Sequence, residues 1–374
     1  MEFRDLKKQY AMLEKEIEHG IRKVLQACNF ISGKQVVELE EQLADYVGTK
    51  HCITCANGTD ALSLALMAWN IGKGDAVFVP DFTFFSSGEV VSYAGATPVF
   101  IDVDKDTFNI SVESLENAIQ CVLKENSLTP KAIIVVDLFG QPADYPLIKK
   151  IAKKYNLMVL EDGAQGFGGK INEQKACSFG DISTTSFFPA KPLGCYGDGG
   201  AIFTDDDITA EYLRSLRIHG KGICKYDNIH IGLNSRLDTI QAAILLPKLK
   251  AFKDYELDQA NYVAEKYTEM FDNIVKTPVI KNGFYSSWAQ YSILLPEKID
   301  RDEIQQKLWE KGIPTMVYYP KPMHDQVAFK ERYLTFDKMN NTKNLCKRIL
   351  SLPMHPYMQD GEIKEVTDNL KRLL

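Results

Sequence analysis

The sequence predicts an α/β protein with a mostly parallel central sheet flanked by helices, followed by a smaller α+β C-terminal domain. Three observations carry this expectation. From 51 to 205, short apolar runs alternate with helix-length segments, the pattern of strands joined by crossover helices. One such run, Asn156-Leu-Met-Val-Leu-Glu-Asp162, ends in acids, and open parallel sheets place their sites at strand ends. After Pro247 the alternation stops, and long helical stretches mix with isolated strands. The expected domains are therefore 1–248 and 249–374.

Taken in order, residues 5–27 carry apolar side chains at Leu6, Tyr10, Leu13, Ile17, Ile21 and Val24, a helical period. Ser32-Gly33 starts a second amphipathic helix through Val36, Leu39, Leu43 and Tyr46, stopping near Gly48. Strands are expected at 51–55, 76–79, 97–103, 132–137, 157–161, 182–187 and 200–204. Helices are expected between them at 59–69, 84–94, 111–123 and 145–155, then at 207–218 and 235–250. The second domain reads as a helix to about 272, a strand at 288–295 and a helix at 300–311. A strand at 314–319 and helices near 341–350 and 360–373 complete it.

Composition removes several function classes. A formal charge of -6 gives no footprint for nucleic acid or an anionic membrane. No stretch reaches the roughly 18 apolar residues of a membrane span, and the N-terminus lacks an apolar signal core. Eight cysteines are scattered, as suits a reducing cytoplasm. Cys52 and Cys55 have redox or metal spacing, but on a strand an odd separation turns them to opposite faces. No second such pair exists to complete a zinc site.

The chemistry concentrates in 181–200. A strand-like run ends at Phe187-Phe188, Pro189 breaks it, Lys191 follows, and Pro192 fixes the far side. Glycines stand at 194, 197, 199 and 200, where close approach or positive φ is allowed. A lysine held in a loop, with Asp162 at a strand end upstream, is the pair that pyridoxal phosphate requires. Its aldehyde condenses with a lysine as a Schiff base, and its ring nitrogen needs a carboxylate. Alternation sends the neighbouring Glu161 to the opposite face, as a structural acid.

Glu161-Asp162-Gly-Ala-Gln165, Ser186-Phe-Phe-Pro-Ala-Lys191-Pro-Leu-Gly and Gly197-Asp-Gly-Gly-Ala201 resemble the nucleotide-sugar aminotransferases of the DegT/DnrJ/EryC1/StrS family. The resemblance covers nearly the whole chain and implies the type I fold of pyridoxal-phosphate transferases. It also implies that Lys191 carries the cofactor, that Asp162 faces the ring nitrogen, and that Gln165 lies by the ring hydroxyl. Ala56-Asn57-Gly58-Thr59-Asp60 follows a strand and opens a helix, a place that favours an anion; Thr59 as a plain N-cap is the other reading. By resemblance, Gly58, Thr59, Asp60 and Ser186 hold the cofactor phosphate, and Phe84, core by default, stacks on the ring. Asn234 reaches the phosphate of a neighbouring subunit, so a homodimer with shared sites is implied. Asn234 or Ser235 could equally cap the next helix. Arg236 either meets a substrate anion or pairs with Asp238. Tyr318, Tyr319 and His324 form the substrate-side loop, and His219 with Lys221 and Lys225 belongs to a possible active-site loop.

The expected activity is transfer of an amino group, with glutamate as donor, to a UDP- or dTDP-linked 3-keto sugar through the pyridoxamine form of the cofactor. Ala190 departs from the Thr or Ser of many relatives. A dehydratase of the same fold has histidine in place of Lys191, which this chain keeps. A non-catalytic cofactor-binding regulator would need a reading helix that the sequence does not show. The single glycine at 58 does not make a dinucleotide loop.

Overall fold

The computed structural model describes residues 1–224 and 226–374. The chain opens with helices α1 (Leu6–Ala27) and α2 (Lys34–Val47). Strand β1 (His51–Cys55) then leads into α3 (Gly58–Ala68). The expected alternation follows: β2 (Asp75–Pro80), α4 (Ser86–Tyr93), β3 (Thr97–Ile101), α5 (Val112–Glu125) and β4 (Thr129–Val136). It continues through α6 (Tyr145–Tyr155) to β5 (Met158–Asp162). Two short strands, β6 (Lys170–Ile171) and β7 (Gln174–Lys175), precede β8 (Ile182–Ser186). After the lysine loop come β9 (Gly200–Thr204), α7 (Asp207–Leu216) and α8 (Thr239–Ala251). A π-helical turn at Phe252–Glu256 carries α8 into α9 (Leu257–Met270). The remainder holds β10 (Phe284–Tyr285), β11 (Tyr291–Leu294), α10 (Arg301–Glu310), β12 (Leu334–Thr335) and α11 (Asn340–Arg348). It ends with β13 (Ile349–Leu352) and α12 (Asp360–Leu373).

Side-chain caps set where these helices begin. Asp5, Ser111, Asp144, Asp206 and Asp300 each accept a first-turn backbone N–H. Asn126 and Asn156 end α5 and α6 in the left-handed region, at φ 52° and 53°.

The large sheet has the order β1-β9-β8-β5-β4-β2-β3-β12. Its neighbours pair in parallel except β9, which runs against both β1 and β8. Alternation divides each strand between two apolar layers: Val77 and Val79 enter one, Ala76 and Phe78 the other. Cys52 and Cys55 separate in the same way. The C-terminal part has a core of its own that begins at Ala260 and includes Ile293, Leu350 and Leu370. Residue 248 falls inside α8, and β12 returns to extend the large sheet beside β3.

Three expectations about elements are corrected. The 314–319 segment is not a strand; among the described residues it makes one bridge, Met316 to Ser351. Pro314 and Pro320 have no N–H to give a ladder. The helix near 341–350 stops at Arg348, and Ile349–Leu352 pairs antiparallel with β11. A short apolar run reads the same in a helix or a buried strand, and the free edge of β11 decides this one. Helix α8 starts at Thr239 with Asp238 in the capping position, so neither Asn234 nor Ser235 caps it.

Candidate active site

Strand β5 delivers Asp162 to the carboxyl end of the sheet, buried. Ser87, in the first turn of α4, donates its hydroxyl to Asp162 Oδ2 at 2.8 Å. The Ala164 N–H donates to Oδ1 at 3.2 Å. Burial pushes the Asp162 carboxyl up; the Ser87 hydroxyl, Lys191 and the Ala164 amide hold it down. Lys191, in the loop after β8, is partly buried, and its N–H bonds the Phe188 carbonyl at 2.8 Å. Burial lowers its amine from the usual lysine value, and Asp162 opposes that shift. A buried carboxylate thus acts on an amine that burial has lowered.

Glu161, one residue before, turns the other way. It is buried and accepts the backbone N–H groups of Cys177, Phe179 and Gly180 and the hydroxyl of Ser183. That set holds the turn between β7 and β8, a structural task.

A close-packed cradle lies beyond β1. Asn57 caps α3 by accepting the Asp60 N–H at 2.8 Å, so Gly58 and Thr59 are helical residues and Thr59 is not the cap. Among the described residues, no hydrogen bond from the N–H of Gly58 or Thr59 is found. A Cβ on Gly58 would lie 2.8 Å from Ser186 Cβ, and one on Gly200 would lie 2.5 Å from the Asn57 carbonyl oxygen. Ser235 accepts the Ala56 N–H at 3.0 Å and ties the 232–238 segment to this loop. Free N–H groups at a helix start, beside the Ser186 hydroxyl, suit a phosphate dianion. With Lys191 and Asp162, the donor set fits pyridoxal phosphate.

Aromatic rings close another side. Phe84 is 52% exposed, which leaves ring surface open, and its centroid lies 6.4 Å from that of Tyr319. Tyr319 also meets Phe82 edge-on at 5.9 Å. Gln165 joins the two halves of the chain: its carbonyl accepts the Phe139 N–H at 2.8 Å, and its amide donates to Tyr319 OH at 3.1 Å. Tyr318 packs its ring against Phe3. His324 is engaged elsewhere: its Nδ1 pairs with buried Asp81 at 2.7 Å, and its N–H donates to the same carboxylate at 2.9 Å. This contact fastens the 320s loop to the end of β2.

The structure therefore links Gln165, Tyr319 and Phe84 by direct contacts, sets Asp162 and Lys191 as opposite charges acting on each other, and packs Gly58 against Ser186. Asn234 is exposed, bridged through its backbone to Ile218. Arg236 lines an open cleft of about 740 Å³ with His219, Lys221 and His230. Among the described residues it makes no ion pair, with Asp238 or any other acid. Lys225 lies outside the described residues. Sequence reasoning missed Ser87, whose signal was an in-phase hydroxyl after Phe84. It also missed Arg4, which donates to the carbonyls of Lys191 and Pro192 and has no local signal.

Residues 11–371 match the DegT/DnrJ/EryC1/StrS aminotransferase family. The chain is 43% identical over 367 residues to the UDP-2-acetamido-2-deoxy-3-oxo-D-glucuronate aminotransferase of Pseudomonas aeruginosa, which covers 97% of this chain and 98% of that one. It is 40% identical over 370 residues to a pleiotropic regulatory protein of Geobacillus stearothermophilus, at 98% and 96% coverage. The crystal structure of a DegT DnrJ EryC1 StrS aminotransferase from Brucella abortus is similar with a TM-score of 0.97 at 47% identity, covering 100% of this chain and 99% of that one.

Proposed function

The chain belongs to the DegT/DnrJ/EryC1/StrS aminotransferase family, and from that premise we propose that it moves an amino group from glutamate to a keto sugar nucleotide, using pyridoxal phosphate. The observation that carries the proposal is the opposite charge of Asp162, at the end of β5, and Lys191, in the loop after β8, which follows the Gly58–Ser186 cradle. The acceptor is a 3-keto hexose on UDP or dTDP. The Pseudomonas relative, whose name contains UDP and 3-oxo, favours UDP.

When bound, the cofactor supplies an electron sink that lets the amino group exchange between donor and acceptor. The protein's part is positional. Gly58, Thr59, Asp60 and Ser186 hold the phosphate, and Phe84 and Gln165 orient the ring. Asp162 keeps a proton on the ring nitrogen, because a cation facing that buried carboxylate relieves the cost of its burial. Lys191 Nζ, whose amine burial lowers from the usual lysine value, is the group placed to take and return a proton. Tyr318, Tyr319 and Arg236 are the side chains offered to the sugar and its anion, with His324 behind them holding the loop.

We further propose a homodimer in which the exposed Asn234 serves the neighbour's phosphate, working in the cytoplasm. Eight unpaired cysteines suit that compartment, and no described helix is long and apolar enough to cross a membrane. The Geobacillus relative's name raises a second reading, a regulator that binds the cofactor without turnover.

Visible absorption of the purified protein with pyridoxal phosphate separates the two. The wild type is expected to show the band of lysine-bound cofactor, to lose it on adding glutamate, and to regain it with a 3-keto sugar nucleotide. Lys191→Ala is expected to show no such band. A wild-type band unmoved by glutamate supports the regulator, and a band surviving in Lys191→Ala removes the lysine assignment.

A further inference from the structure

Phe3 and Arg4 precede the first helix and reach across the lysine loop. Arg4 Nη2 donates to the Lys191 carbonyl at 2.8 Å and to the Pro192 carbonyl at 3.3 Å. Phe3 fixes that approach from the C-terminal part: its carbonyl accepts the Met354 N–H at 3.0 Å, and its ring meets Tyr318 edge-on at 6.3 Å. Glu256, in the π-helical turn, is buried and accepts from Gln9 Nε2 at 2.7 Å and from the Tyr357 hydroxyl. It is the main opposite charge acting on Arg4.

We propose that Arg4 is a positioning residue for Lys191, clamping the loop through its two carbonyls and setting a fixed positive charge beside the reacting amine. The proposal rests on the reading of Lys191 as the cofactor's lysine. A guanidinium keeps its charge across the working pH range, so it is a constant bias rather than a switch. A cation near an amine favours the neutral form, which is the nucleophile and the base. The charged groups acting on Lys191 are Asp162 and Arg4, of opposite sign. The titratable groups around Arg4 are Glu256, Tyr357, Lys248 and His355, of which burial keeps Tyr357 and His355 neutral. Burial remains the larger cause of the lowered amine, with Arg4 adding to it against Asp162.

The test is competitive acetylation of the full-length, cofactor-free protein by acetic anhydride across pH, with Lys191 read by peptide mass spectrometry. Arg4→Met is expected to raise the Lys191 midpoint by roughly half a pH unit or more, about a threefold loss of acetylation below the midpoint. Arg4→Lys keeps a cation there and is expected to restore most of the wild-type midpoint. A second uncharged variant, Arg4→Gln, is expected to give the same upward shift, and it decides the matter if Arg4→Met does not fold. An unmoved midpoint in the uncharged Arg4 variants, whatever their thermal stability, would overturn the proposal and leave Arg4 an anchor of the N-terminal segment. Acetylation involves no cofactor, so this result is independent of the absorption band that tests the assignment of Lys191.

Discussion

At the scale of single residues, two glycines do what no other side chain can. Gly58 and Gly200 let the loop after β1 close on the ends of β8 and β9, with built Cβ contacts of 2.8 and 2.5 Å. Neither has positive φ, so the demand is for space and not for conformation. Gly58→Ala must push Ser186 away from the phosphate position proposed there. Overpacking of this kind costs about 1–3 kcal/mol, so the dissociation constant of pyridoxal phosphate is expected to rise about tenfold. Equilibrium dialysis would check it, with circular dichroism to show the fold intact; an unchanged constant would rule out the cradle. The sequence displayed the glycines, the lysine and the acid because each breaks a local pattern. It signalled Ser87 only as an in-phase hydroxyl whose partner lies 75 residues on, and it could not display Arg4, whose partner is 187 residues away.

At the scale of elements, the parallel half of the sheet was legible because buried strands and crossover helices alternate in period along the sequence. The C-terminal part was less so. There Ile349–Leu352 continues the apolar period of α11, and only pairing with β11 makes it a strand. The 320s loop likewise gets its place from a distant partner, buried Asp81. Bonding to Asp81 raises the His324 imidazole above its ordinary 6.5, while burial raises Asp81, with His324 opposing. The imidazolium's contribution is therefore full below about 6.5 and is lost as pH rises through the raised value. The pair weakens again as pH falls through the raised Asp81 value and that carboxylate takes a proton. Removing one partner of a buried pair costs about 3 kcal/mol, so thermal melts should show Asp81→Ala well below wild type at pH 6. The gap is expected to shrink by pH 9; a gap independent of pH would show that charge plays no part.

At the scale of the whole molecule, Asn234 lies on the surface while the cradle it is proposed to serve is half-buried. If each site needs Lys191 from one subunit and Asn234 from the other, mixing inactive Lys191→Ala with Asn234→Ala protein restores activity. Random exchange gives hybrids with one intact site, and about a quarter of wild-type turnover is expected for a two-fold dimer. No recovery after verified exchange would mean self-contained sites. The meeting of Arg4, Gly58, Asp162, Lys191 and Tyr319 also bears on how the protein is made. These residues span most of the chain, so no partly folded fragment presents the full set. Pyridoxal phosphate then binds the finished fold and not the unfolded chain, adding about 2.7 kcal/mol at a hundredfold excess over its dissociation constant. Vitamin supply during synthesis would thus act on the yield of folded protein before it acts on turnover.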